Sequence, residues 1–143
     1  MNLEKIYGFL KQNRDIAFAT VGDDKKPKIR VFQMMKIDEQ ANTLYFATSP
    51  KKEVFVQLQS KPAVELLAMS GNISVRISGD AIFNVPEEIC QEIYNTNPVL
   101  SRLYKGYQDL AYFSVPIATL DYFDLTTTPP TFINYAKQET NEK

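Results

Sequence analysis

The residues best suited to chemistry cluster in the stretch Thr48-Ser49-Pro50-Lys51-Lys52, with Arg30 one strand earlier. Ser49 can cap a helix, and Pro50 suits its first position, where a missing N–H costs nothing. That first turn presents unpaired N–H groups and the positive end of the macrodipole, so acids are favoured there and lysines are not. Two lysines at such a place are unfavourable unless an anion sits between them and the backbone amides. A phosphate satisfies all of these groups together. The helix expected after Asn84 carries the ordinary acids, Glu87 and Glu88, at its start, which makes Lys51-Lys52 an exception within the same chain. Arg30 lies mid-strand, where a long cation is not favoured, and its guanidinium suits bidentate contact with phosphate. If its strand pairs with the one ending at Thr48-Ser49, both reach the same anion. The plain alternative is a solvated basic turn with no ligand.

Composition limits the rest. The chain has no histidine, no tryptophan and one cysteine in 143 residues. Nucleophile systems that need histidine are excluded, with the common zinc sites and His-ligated haem, and no metal site is expected. A net charge of −1 leaves no surplus of cations for a nucleic-acid backbone. No segment approaches the length of a membrane span, and MNLEKIYGFLKQN reads as an amphipathic helix, not a signal peptide. The lone Cys90 excludes an intrachain disulfide, fits a reducing cytoplasm, and reads as a small buried hydrophobe. Chemistry therefore falls to Arg, Lys, Tyr, Ser/Thr, carboxylates or a bound cofactor.

The elements that must position these residues belong to one domain spanning 1–143. Asn2 can cap a helix with Leu3, Ile6, Tyr7, Phe9 and Leu10 on one face, stopped at Asn13. Strands are expected over 16–21, 28–37 and 43–48 as an antiparallel meander, with polar turns at 22–27 and 38–42. In the second strand Lys28, Arg30, Phe32 and Met34 share one face. A helix capped by Ser49 carries Val54, Phe55 and Leu58 inward and ends before Lys61-Pro62. Strands follow at 63–69 and 73–83, where Gly79 marks a bulge or bend. A helix over 84–94 and a short one in VLSRLY precede a β-prone run over 110–125, broken at Pro116. The tail is extended to about Tyr135 and frayed over about 136–143.

The succession IAFATV, basic turn, IRVFQMM, LYFATSPKKEVFVQLQSKPAVEL and SVRISGDA resembles the pyridoxamine 5′-phosphate oxidase-like family of FMN-binding split barrels, in its short bacterial form. The likeness runs from about residue 3 to 135. It is most specific at the Arg30 strand and at the T-S-x-K-K-E-V helix start. The resemblance implies a mainly β fold, a six-stranded antiparallel split barrel with peripheral helices. It implies a homodimer with FMN at the interface. Arg30 and the backbone of Val31, Phe32 and Gln33 would run along the flavin ring toward its phosphate. Tyr45 to Ser49, including Phe46, Thr48 and Ser49, would form the neighbouring strand end, and Lys51 and Lys52 would meet the phosphate. Ser74 falls where larger members carry a glutamine that reaches the flavin of the partner subunit. The implied activity is a flavin-dependent oxidoreductase acting on an unidentified small molecule. Alternatives are a flavin carrier without turnover, or a module for another phosphorylated cofactor such as a deazaflavin. The segment DYFDLTTTPPTFINY has none of the Trp, Arg and His that the namesake oxidases carry near their C-terminus, so oxidation of pyridoxamine phosphate itself is not implied.

Overall fold

The computed structural model describes residues 3–138. The chain runs α1 (Glu4–Gln12), β1 (Asp15–Val21), β2 (Pro27–Gln33), β3 (Lys36–Asp38), β4 (Thr43–Thr48), α2 (Glu53–Ser60), β5 (Ala63–Ser70) and β6 (Ile73–Asp80). It continues through α3 (Glu87–Thr96), α4 (Pro98–Leu103), a single 3₁₀ turn at Tyr107–Asp109, β7 (Ala111–Pro116), β8 (Thr119–Asp124) and β9 (Thr131–Ala136). Six strands form one open antiparallel sheet in the order β2-β1-β5-β6-β8-β9, and three form a second in the order β3-β4-β7. The expected mainly β, split-barrel architecture holds.

Several boundaries differ from the sequence expectation, each for a local reason. The strand expected over 28–37 divides at Met34-Met35. There the Met34 N–H donates to the Arg14 carbonyl at 2.8 Å and the Met35 N–H to the Tyr45 carbonyl at 2.9 Å, so the chain leaves one sheet and joins the other. The simple meander is therefore wrong: β4 pairs with β3 and β7, while β2 pairs with β1. The run over 110–125 breaks at Pro116 as expected, into β7 and β8 on different sheets. Helix α3 begins later than expected, with Pro86 in its cap position. Leu3 occupies the cap position of α1, and the expected cap Asn2 lies outside the described residues, as do 139–143 of the tail. Ala136, expected to fray, still pairs with Thr119.

Gly79 is not a bulge. It stays in register opposite Val64. A Cβ there would meet the Pro116 carbonyl oxygen at 2.5 Å and Val115 Cγ1 at 2.9 Å, so glycine is required where β6 passes under β7. Because the obstructing atom is backbone, Gly79→Ala should cost about 1–3 kcal/mol by overpacking. Urea unfolding should show a lower midpoint with an unchanged slope.

The two sheets are joined by rings. Phe18 on β1 meets Phe32, Phe46 and Phe113 edge-on at centroid distances of 4.8, 5.3 and 5.9 Å. Phe46 and Phe113, neighbours on β4 and β7, stack at 5.4 Å. Edge-to-face and offset contacts of this kind add to the area these rings bury. The cluster fixes the ends of β2 and β4 relative to each other although no ladder connects them. No helix among the described residues is long and apolar enough to cross a membrane.

Candidate functional site

A cleft of about 640 Å³ opens between the ends of β2 and β4, the start of α2 and the side of α4. Its volume falls within the range of roughly 300–1,000 Å³ usual for ligand sites. Six of the ten residues singled out from the sequence line it: Arg30, Val31, Phe32, Gln33, Thr48 and Lys52. Arg30 and Thr48 converge here across the gap between the sheets, not along a shared ladder.

Arg30 points inward because β2 alternates, leaving Ile29 and Val31 on the outer face at 72% and 69% exposure. Its Nη1 donates to the Phe18 carbonyl at 3.3 Å and to Thr20 Oγ1 at 2.7 Å, and its Nη2 donates to Gln57 Oε1 at 3.4 Å. The Thr20 hydroxyl donates onward to Gln57 Oε1 at 2.9 Å, and Gln57 Nε2 donates to Glu53 Oε1 at 3.1 Å. This relay orients the guanidinium from behind and leaves its remaining N–H groups for a ligand. Burial pulls Arg30 below its ordinary pKa, with Glu53 opposing the shift, and the group stays cationic. Thr20→Val would leave the buried Gln57 and half-buried Arg30 groups without their shared hydroxyl, at a cost of about 1–3 kcal/mol. Chemical denaturation of the two proteins checks this.

Helix α2 begins at Glu53, later than the sequence suggested, with Lys52 in an extended cap position that makes no side-chain capping bond. Ser49 does not cap the helix. Its Oγ accepts from the Lys51 N–H at 3.2 Å, and its carbonyl accepts from the Lys52 N–H at 3.1 Å, closing a separate turn ahead of the helix. The lysines thus precede the first turn, whose acid is Glu53. Neither Lys51 nor Lys52 makes an ion pair among the described residues. Beside them Thr48, 3% exposed, buries a hydroxyl oxygen with no hydrogen-bond partner. A buried unpaired hydroxyl costs free energy that a ligand acceptor would recover.

Four of the ten residues lie elsewhere. Phe46 is in the ring cluster with no exposure. Ser49 and Lys51 sit on the turn beside the cleft without lining it. Ser74 lies on β6, between Met69 and Phe123 on the outward face of the large sheet. Of three tyrosines from the end of α4 into β7, Tyr104 lines the cleft. Tyr107 donates to Glu87, and Tyr112 is buried with its hydroxyl unpartnered and its pKa pushed up by burial. Arg76 faces solvent, bonded to Asp121 at 2.8 Å and near Glu65 at 3.6 Å. Cys90 is half-buried, and its thiol is pushed up chiefly by burial.

Sequence reading missed the supports of Arg30 and the far wall of the cleft. Gln57 was detectable, as a polar residue on the inward face shared with Val54 and Leu58. The wall formed by Met35, Val99, Leu100, Leu103 and Leu110 had no such signal, since it depends on where α4 docks.

Comparison with known proteins agrees with this architecture. Residues 3–126 match the family model described as pyridoxamine 5′-phosphate oxidase. No curated protein matches the chain by sequence. Among solved structures, a pyridoxamine 5′-phosphate oxidase-related, FMN binding protein from Nostoc punctiforme superposes with a TM-score of 0.81 at 17% identity, covering 99% of this chain and 94% of that one. A protein from Clostridium acetobutylicum, related to a general stress protein of the pyridoxinephosphate oxidase family, gives 0.77 at 12% identity, covering 94% and 93%. A nimc/nima family protein from the same organism gives 0.76 at 20% identity, covering 94% of each chain. With a family model spanning most of its length and a fold to match, the chain belongs to the pyridoxamine 5′-phosphate oxidase family.

Proposed function

We propose that the cleft binds FMN and that the protein is a flavin-dependent oxidoreductase acting on a small molecule other than pyridoxamine phosphate. The observation that carries this reading is the convergence of Arg30, Lys52 and Thr48, whose buried hydroxyl has no partner, on one cleft. These groups suit a phosphate, with Lys51 adding charge from the adjacent turn. The backbone of Val31 to Gln33 offers an edge along which a flat ring can lie. FMN bound there would supply electron transfer, and the chain's own residues hold and orient it. That the Nostoc punctiforme relative is described as FMN binding supports the reading.

The functional unit in this reading is a homodimer formed through the outward face of the six-stranded sheet. On that face Val31, Ala17 and Leu67 form one row across β2, β1 and β5, with Ile29 and Met69 beside it. Met69 and Leu67 are 68% and 41% exposed. Another row runs from Met69 through Ser74 to Phe123 and Phe132. The first row continues into the Arg76–Asp121 ion pair on β6 and β8, and an exposed apolar surface crossed by paired charges suits association with a second copy. Val31 and Gln33 belong to both this face and the cleft, so pairing places the cofactor at the interface and brings Ser74 of the partner subunit within its neighbourhood.

Titration of flavin-free protein with FMN tests the proposal. Quenching of flavin fluorescence that saturates at one FMN per chain is expected, together with a dimeric mass by light scattering. A monomer that leaves FMN fluorescence unchanged contradicts both parts.

A further inference from the structure

The cleft is chemically two-sided. Among the described residues that line it, the cations are Arg30 and Lys52 and the anions are Asp15 and Glu53, all on the side of β1, β2 and α2. The opposite wall consists of Met35, Val99, Leu100, Leu103, Tyr104 and Leu110. It contributes no charged side chain. Leu103 is 63% exposed there, an apolar surface of a kind that gains free energy when a ligand covers it. Tyr104 adds an aromatic face with one polar tip.

We propose that the α4 wall is the specificity surface for the second molecule, and that this molecule is an uncharged, flat aromatic of one or two rings. The inference rests on the reading of Arg30 and Lys52 as partners of the flavin phosphate. Once they are engaged, the lining keeps two carboxylates and no spare cation. A second phosphate or carboxylate would then be desolvated without a partner and repelled by Asp15 and Glu53. A neutral ring loses nothing of this kind and buries Leu103 and Val99. The wall thereby disfavours phosphorylated ligands and accepts apolar ones. Rejection comes from the unpaired charge, which discriminates more strongly than a small difference in apolar contact.

Equilibrium dialysis of 2-naphthol against 2-naphthyl phosphate, which share a ring system and differ in charge, tests the inference. On FMN-loaded protein, 2-naphthol should bind at least about ten-fold more tightly than 2-naphthyl phosphate. On flavin-free protein the preference should reverse, because Arg30 and Lys52 are then open to the phosphate. Leu103→Glu should weaken 2-naphthol binding by about ten-fold or more, and Leu103→Met should retain it. Equal or tighter binding of the phosphate to loaded protein, or full 2-naphthol binding by Leu103→Glu, overturns the proposal. FMN uptake is measured first by absorbance. Its failure counts against the flavin reading alone, and the Leu103 variants on flavin-free protein then decide whether the wall binds the neutral ring.

Discussion

Lys52→Glu is expected to weaken FMN binding by more than about ten-fold, because it removes a charge-assisted contact and places a carboxylate beside the phosphate. The substitution is a clean probe. Lys52 makes no ion pair among the described residues and supplies no capping bond to α2, so folding loses no resolved contact. An added acid at a helix cap is also favourable to the macrodipole. Stability should therefore hold while affinity falls. Fluorescence titration with FMN alongside thermal unfolding separates the two effects. Unchanged affinity would remove Lys52 from the phosphate site and leave Arg30 and Thr48 without their cationic neighbour.

The largest effect on stability should come from Phe18→Ala, with an expected loss of about 3–5 kcal/mol. Phe18 has no exposure and touches three other rings, Phe32 on its own sheet and Phe46 and Phe113 on the other. Deleting it opens a cavity at the seam between the sheets, where no backbone ladder can compensate. A loss of that size is a large part of the 5–15 kcal/mol typical of whole domains. The cleft spans the same seam, so the variant should also bind FMN less well than its folded fraction predicts. Guanidinium unfolding monitored by circular dichroism gives the first quantity and titration of the folded protein the second.

Local pattern made much of the architecture legible. The strand expected over 63–69 is β5 despite its helix-forming residues, and its inward positions are Val64, Leu66 and Ala68. The basic turn after β4, the Arg30 strand and the proline-limited end of α2 were equally readable. What sequence did not show were events decided at a distance. The switch between sheets at Met34-Met35 depends on Arg14 and Tyr45, and the close passage at Gly79 depends on Pro116. The first looks like continuous strand and the second like a bulge or bend until their distant partners are known. The site followed the same division. Arg30 and Lys52 stood out as cations in unfavourable places, and Thr48 by its position beside the lysines. Thr20 and the α4 wall are ordinary in type and become significant by position alone. The lysines are notable not for occupying a first helical turn but as unpaired cations beside a buried hydroxyl.

The central claim is that Arg30, Thr48 and Lys52 hold the phosphate of a flavin. The most direct measurement is the absorbance spectrum of the purified protein, with mass identification of any ligand released on denaturation. The account predicts a yellow protein with flavin bands and a released molecule of the mass of FMN. A colourless protein that takes up no added FMN, or one that releases a phosphorylated compound without a flavin ring, would contradict it.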